Sequence, residues 1–381
     1  MHDIKLILFY LASLSYILIA GRVDAESLQL KNHPRLWVGE EDIAVLKKKF
    51  DSPTLQNSVS KVIKDADWLL TSKLINENDG NTYQSKTRAI ASRLKNLTLA
   101  WVITEKSEYR DAAMLNLKNM MGWNQISCEA RLGMPHEPLK YFCLSAGEHS
   151  ADIALMYDLF KADITAEEKK VFDDVINRFY MKAALRAKEH KPWWANKEWS
   201  NWNAVCSGGI GLLALAFYED HPRAKELLPF VEESLSHYFK SYIKNGGGNH
   251  EGTGYWNYGM HYAIRYLLSW ERATGKKHPA FNIKELGQSL HFPVDFTRIS
   301  FGDNDGWHPG GFYFMMADRM NQKEPSLRAA KYIYGSSLKP NNAIKINTKK
   351  NKKAPKPKTI FSMLMLLIGY MQQGTFQVKT L

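Results

Sequence analysis

Apolar residues recur at three- and four-residue spacing along most of the chain, the period of helices that each bury one stripe. The pattern predicts helices near 54–76, 84–105, 108–122, 145–161, 165–190, 203–219, 222–244 and 256–274, with others near 280–290, 312–321 and 325–335. Ahead of them, residues 33–50 read HPRLWVGEEDIAVLKKKF, a turn and then a short helix. Glu40, Glu41 and Asp42 fall in its first turn and Lys47 to Lys49 in its last, the distribution that the helix dipole favours. Strand-like alternation is scarce before 360, and the connections are short and carry Gly, Pro or Asn. Such a succession of helical hairpins predicts an α-solenoid or an α/α toroid. No fixed repeat period of the solenoid kind is present, so the expected fold class is an all-α, incomplete (α/α) toroid.

The two ends depart from this pattern. Lys5 precedes an apolar run, Leu6 to Ala20, and then Arg22-Val23-Asp24-Ala25. This reads as a signal peptide over residues 1–25, cleaved after Ala25, with an uncleaved anchor as the competing reading. The run is short for a spanning helix. Export to the periplasm or medium is expected, with no stable membrane insertion after cleavage. The helical body then occupies 26–338. Residues 339–358 are Pro, Asn and Lys, a composition that cannot bury a core. The last stretch of 339–381 opens apolar, as the first strand of a further domain, a sticky end or a disrupted frame would.

Composition changes this picture little. A hydrophobic fraction of 45% and a charged fraction of 24% describe a soluble globular chain. The net charge is +12, but seven lysines between 345 and 358 supply most of it and leave +5 for the rest. A mildly basic body steers anionic partners without identifying them. No helix-turn-helix, zinc-finger or RNA-binding signature is present, so nucleic acid is not an expected partner. Three cysteines form no disulfide framework. Cys128 and Cys143 could pair, while Cys206, at an apolar helix start, reads as a packed thiol. No C-x-x-C or His/Cys cluster suggests a metal, and no cofactor is expected. Aromatic residues reach 12%, with 11 Trp. They suit cores, and they also suit sugars, whose flat apolar faces stack on rings.

Two segments look chemical. The first is WWANKEWSNWNAVCSGG, residues 193–209, where Trp and Asn crowd a helix entrance. Either Asn201 or Asn203 could simply cap the helix that follows. The density of Trp beside uncharged amides suggests more, because an amide can hydrogen-bond a sugar carboxylate without a charge of its own. The second is NGGGNHEGTGYWNYGMHY, residues 245–262. Its glycines make a turn between helices and let backbone approach a ligand closely. Tyr255, Tyr258 and Tyr262 then share one helix face. That spacing usually marks a core, but here His250, Glu251 and His261 accompany it after a glycine loop, which tilts the reading to a site. A third loop, FGDNDGWH at 301–308, lacks the bidentate Glu of a calcium loop.

HPRLWV, NWNAVCSGG and GGNHEGTGYWNYG, in this order on an all-helical background, resemble the heparinase II/III-like polysaccharide lyases and their alginate lyase relatives. The likeness covers about residues 33–335. It implies an α/α toroid that normally precedes a C-terminal β-sandwich, which the sequence does not show beyond the Lys-rich segment. It also implies cleavage of uronic-acid polysaccharides, heparin or heparan sulfate first and alginate second, by β-elimination.

The chemistry explains the residue types. The C5 proton of a uronate is removed and the 4-O-linked sugar expelled, so the carboxylate must be neutralised while charge develops on it. A Tyr or His then moves the protons. Carried onto this sequence, the resemblance implies Tyr255 as the proton-transferring residue, with Tyr258 in reserve. Asn201 is the implied carboxylate neutraliser, with Asn203 close by, although Trp202 stands where many relatives have His. Glu251 and His250 would assist, Trp199, Trp202 and Trp256 would stack on sugars, and His261 and Arg265 would bind substrate. A free Tyr titrates near 10, so nearby cations would have to lower a basic one. Two rivals remain. One is a toroid hydrolase that pairs Glu251 with Asp303 or Asp305. The other is a non-catalytic acidic-polysaccharide-binding protein.

Overall fold

The computed structural model describes residues 28–49, 53–79, 83–124, 126, 142–296 and 309–334. The leader-like segment, Cys128, the 301–308 loop and everything after 334 lie outside them. All regular structure among the described residues is helical. The helices are α1 (Glu40–Lys49), α2 (Pro53–Thr71), α3 (Tyr83–Thr104), α4 (Ser107–Asn119), α5 (Leu144–Phe160), α6 (Ala166–Ile176), α7 (Lys182–His190), α8 (Asn201–Ala216), α9 (Leu227–Lys244), α10 (Thr253–Thr274), α11 (Lys284–Gln288), α12 (His291–Asp295), α13 (Gly311–Arg319) and α14 (Lys323–Tyr334). The longer helices fall where the apolar periodicity placed them. The helix predicted over 280–290 is broken into a 3₁₀ turn, Pro279–Asn282, and the short α11.

The chain divides into two compact units. The first runs to Ser241 and takes in Tyr258–Ala280; the second is Tyr242–Asn257 with the residues from Phe281 onward. Helices α9 and α10 contribute to both.

In the first unit the innermost helices are α5 and α8. Nearly every residue of each is buried, so neither shows the one-sided stripe of a surface helix. Small residues let them meet at backbone distance: a Cβ on Gly147 would stand 2.8 Å from the Val205 carbonyl oxygen. Helix α10 approaches α8 as closely, because a Cβ on Gly208 would stand 2.6 Å from the Tyr262 carbonyl oxygen. Helices α3, α4 and α6 complete the hairpin packing. The 165–190 helix runs as predicted, with a π turn at Asn177–Met181 between α6 and α7. It starts on a capping box of Thr165 and Glu168. It stops at Lys191, which takes a left-handed conformation (φ 43°) just before Pro192.

The HPRLWV motif proves to be an anchor. The buried Asp158 carboxylate on α5 accepts from the backbone N–H of Arg35 and Leu36, at 3.0 and 2.9 Å, and lies 2.6 Å from His33 Nδ1. The Arg35 guanidinium reaches Glu219 and donates to Leu215 O. Charge-assisted bonds of this kind, satisfied on every side, fix the N-terminal segment across the ends of α5 and α8. Among the described residues no helix is long and apolar enough to cross a membrane.

The second unit is built on Trp256, which packs against Phe312 (centroids 6.4 Å apart) and edge-on to Tyr313 (5.9 Å). The glycine turn at 246–247 serves this packing. Gly246 and Gly247 have positive φ, and a Cβ on Gly247 would stand 2.8 Å from Ser289 N. The close backbone approach expected toward a ligand is therefore made to the chain itself.

Candidate functional site

The interior of the first unit holds a polar cluster on α3, α5 and α10. Glu148 is gripped by Arg88 through two parallel bonds, Nε to Oε2 and Nη2 to Oε1, each 2.7 Å. The Tyr258 hydroxyl donates to the same carboxylate. One turn along α5, Asp152 lies 3.4 Å from Arg265. The Arg265 guanidinium sits 4.0 Å above the Trp37 ring and 5.5 Å from Tyr262, so the HPRLWV anchor also supplies its floor. Arg265 Nη1 lies 3.3 Å from His261 Nε2. The guanidinium has only donors, so this imidazole accepts there. Tyr262 packs edge-on against both Tyr258 (5.8 Å) and His261 (5.2 Å).

The protonation states follow from burial. Tyr258 is pushed well above the ordinary phenol value, first by burial and then by the Glu148 charge, which outweigh Arg88. Tyr262 is raised for the same reasons, with Asp152 adding to Glu148. Both phenols keep their protons. His261 is driven well below its usual value by burial and by Arg265 and Lys95, so it stays neutral. Lys95 is lowered, chiefly by burial. Burial opposes the charge on Arg88, but the Glu148 carboxylate prevails and holds it cationic. A basic Tyr would need its pKa lowered by cations, and Tyr258 is raised instead: this phenol is a proton holder. Beside Glu148, His149 is wholly buried, pairs with the Tyr180 hydroxyl through Nδ1 and is lowered to about 4 by burial.

Close helix packing brings Asn201 to the same region. A Cβ on Gly259 of α10 would lie 3.3 Å from both Cα and Cβ of Asn201, the first residue of α8. Gly259 thus lets α10 close on the NWN segment one residue after Tyr258.

The fold has a solved counterpart. A crystal structure of an alginate lyase from Bacteroides ovatus matches with a TM-score of 0.57 and 11% sequence identity, over 88% of this chain and 100% of that one. This chain shares the fold of that structure. No protein-family model matches the sequence, and no curated protein sequence matches it.

The structure sorts the residues singled out in the sequence. Tyr258, His261 and Arg265 join the cluster. Asn201 lies buried at the α8 entrance, but the cap there is Ser200, whose hydroxyl accepts from Trp202 N, so neither Asn caps the helix. Asn203 is 0% exposed, and its Nδ2 donates to the carbonyls of Ala195 (3.0 Å), Ser234 (2.9 Å) and Lys197 (3.3 Å). It latches the Trp-rich loop and has no face for substrate. Trp256 is 0% exposed, a core residue of the second unit, where a sugar-stacking ring had been expected. His250 is exposed, 2.8 Å from the Asn245 amide; Glu251 and Tyr255 are half-buried in the second unit. Trp199 is 48% exposed and Trp202 half-buried. Among the described residues no group of three or more His, Cys, Asp or Glu is placed to hold a metal. Asp303 and Asp305 lie outside the described residues.

Sequence reading missed Arg88, Lys95, Glu148 and Asp152, and left Tyr262 without a role. These sit on helices distant in the chain, Arg88 and Glu148 being 60 residues apart, and no local motif joins them. A signal existed in α5, LSAGEHSADIALMYDLF, where Glu148, His149, Asp152 and Asp158 interrupt a helix otherwise mostly apolar or small. Ionisable groups in such a helix are buried and must find partners.

Proposed function

We propose that this chain is a polysaccharide lyase that cleaves a uronic-acid polysaccharide by β-elimination. The observation that carries this reading is the Arg88–Glu148–Tyr258 constellation with Arg265 and His261 beside it. It offers a phenol held protonated and fixed cations in a largely dry interior. Elimination needs these parts: a proton for the departing O4 and positive charge where the carboxylate accumulates it. Tyr258 donates the proton to O4 as the C4–O bond breaks and the C4–C5 double bond forms. The Asn201 amide, in the role the resemblance gives it, hydrogen-bonds the uronate carboxylate, and Arg265, itself buried, adds positive field behind it. The sequence resemblance makes Tyr255 a proton-transferring residue, and we assign it the C5 proton.

The cluster does not itself supply a hydrolase pair. Its two carboxylates, Glu148 and Asp152, stand on one face of one helix, and each is tied to an arginine. A hydrolase needs a free acid and a free base on opposite sides of the bond. The alginate lyase fold makes alginate the first substrate to test, ahead of the heparin and heparan sulfate that the sequence resemblance favours. The leader-like start supports an exported protein, where such polymers are met.

The test is ultraviolet absorbance on the full chain with alginate, heparin, heparan sulfate and hyaluronan in parallel. A lyase product carries a double bond conjugated to its carboxylate and absorbs; a hydrolase product does not. Rising absorbance with one polymer is expected. Binding without product from any of them would overturn catalysis and leave a binding protein.

A further inference from the structure

We infer that Trp37 is a positioning residue for the reaction proposed above, its indole face holding the Arg265 guanidinium behind the uronate carboxylate. The role rests on that reaction; the contact itself does not. Arg265 is 1% exposed, and its Cζ stands 4.0 Å from the centroid of the Trp37 ring, which is 3% exposed. At that distance the guanidinium lies in contact with the ring, and a cation removed from water gains most from such a face. The contacts of Arg265 with Asp152 and His261, at 3.4 and 3.3 Å, are long for charge-assisted bonds. The ring is therefore a closer constraint on the plane of the fork than either of them.

Trp37 is itself held. The residues just before it, His33, Arg35 and Leu36, all meet the Asp158 carboxylate, at 2.6, 3.0 and 2.9 Å. Asp158 and Asp152 lie on the same helix, so α5 carries both the carboxylate that pins the HPRLWV segment and the one beside Arg265. From Arg265 the contacts run on to Tyr262 at 5.5 Å, and from Tyr262 edge-on to Tyr258 at 5.8 Å, the phenol assigned to the departing O4. HPRLWV thus docks through its first residues and reaches the reacting groups through its Trp. The consequence is kinetic. A fixed cation stabilises charge developing on the carboxylate because it does not have to reorganise as the charge appears. A guanidinium free to swing would still attract the substrate, but would stabilise the transition state less. The loss of Trp37 therefore falls on kcat rather than on KM.

Initial rates of ultraviolet absorbance on the polymer that wild type cleaves test the role, with Tm values taken beside them. Trp37→Leu keeps an apolar side chain but removes the ring; kcat should fall about tenfold while KM stays within about twofold. Trp37→Phe keeps a ring face and should hold kcat within about threefold of wild type. In an Arg265→Gln background, itself slower, Trp37→Leu should lower kcat by less than about twofold, because no guanidinium remains to be held. A side chain that only filled the core would slow both backgrounds alike. Arg265→Lys leaves Trp37 in place and keeps the charge without the planar fork, so it gives the answer even where Trp37→Leu does not fold; its kcat should also fall about tenfold. Rates equal to wild type in Trp37→Leu or in Arg265→Lys overturn the role. So do equal losses in the two backgrounds, or a Trp37→Phe protein as slow as Trp37→Leu. A wild type that releases product from no polymer overturns the elimination and this role with it, whereas an active wild type matched by Trp37→Leu overturns the role alone.

Discussion

Asn201 and Asn203 look equivalent in the NWN segment, and the structure separates them. Asn203→Ala removes the amide that bridges three carbonyls. The Ala195 carbonyl keeps the Ser234 hydroxyl as donor, and the Lys197 carbonyl is only partly buried, so water can replace the amide there. The Ser234 carbonyl keeps its own bond within α9 and loses a second donor, and the substitution leaves a void the size of an amide in a wholly buried position. A lost buried hydrogen bond costs about 1–2 kcal/mol and the void about another 1. The expected destabilisation is therefore about 2–3 kcal/mol, or roughly 3 °C in Tm for a chain of this size. Asn203→Asp keeps the volume but turns an acceptor toward those carbonyls, and should cost more than alanine, about 3–5 kcal/mol if the carboxyl ionises. Calorimetry and urea unfolding on wild type and both variants provide the measurement. Asn201→Ala should instead lower product formation by about a hundredfold with a smaller fall in Tm. An Asn203→Ala protein melting within about 1 °C of wild type, or an Asn203→Asp protein as stable as wild type, would refute the latch.

Two further outcomes follow from buried groups. His149 titrates near 4 in the folded protein against 6.5 for an exposed histidine, so the neutral form is the one the fold favours. Its contribution is present above about pH 6.5 and is lost as pH falls toward 4, by about 3 kcal/mol in all, with His261 acting in the same direction. Urea midpoints between pH 7 and 4.5 should fall accordingly, and His149→Gln should flatten that slope; an equal slope in the variant would remove His149 as the cause. Gly208→Ala places a methyl 2.6 Å from the Tyr262 carbonyl oxygen and must push α10 from α8. It should cost about 1–3 kcal/mol and much of the activity. Gly122→Ala, whose Cβ would meet nothing within 4 Å, should leave the Tm near that of wild type.

The helical architecture was legible because the apolar period marks helices wherever one face stays wet, as in α4, α6 and α9. It remained legible in α5 and α8, which are buried all round, only through length and small residues. The start of α8 was misplaced because Ser200, Asn201 and Asn203 can all cap, and only tertiary packing chooses Ser200. Trp256 was misread because a ring at a helix start after a glycine loop has the same sequence signature whether its partner is a sugar or Phe312 and Tyr313. The half of the site in NWN and in the Tyr stripe was visible as local clustering. The half formed by Arg88, Glu148 and Asp152 was not, because the contacts that bring it together run between helices distant in the chain.

The central claim is that Tyr258 delivers a proton in a β-elimination. The most direct measurement is the initial rate of ultraviolet absorbance on alginate, and on whichever other uronate polymer responds, for wild type and Tyr258→Phe. Tm values taken alongside show that both are folded. The account predicts a steady rise for wild type and a fall of about 10²–10⁴ in the phenylalanine variant. New reducing ends without absorbance, or equal rates in the two proteins, would contradict it.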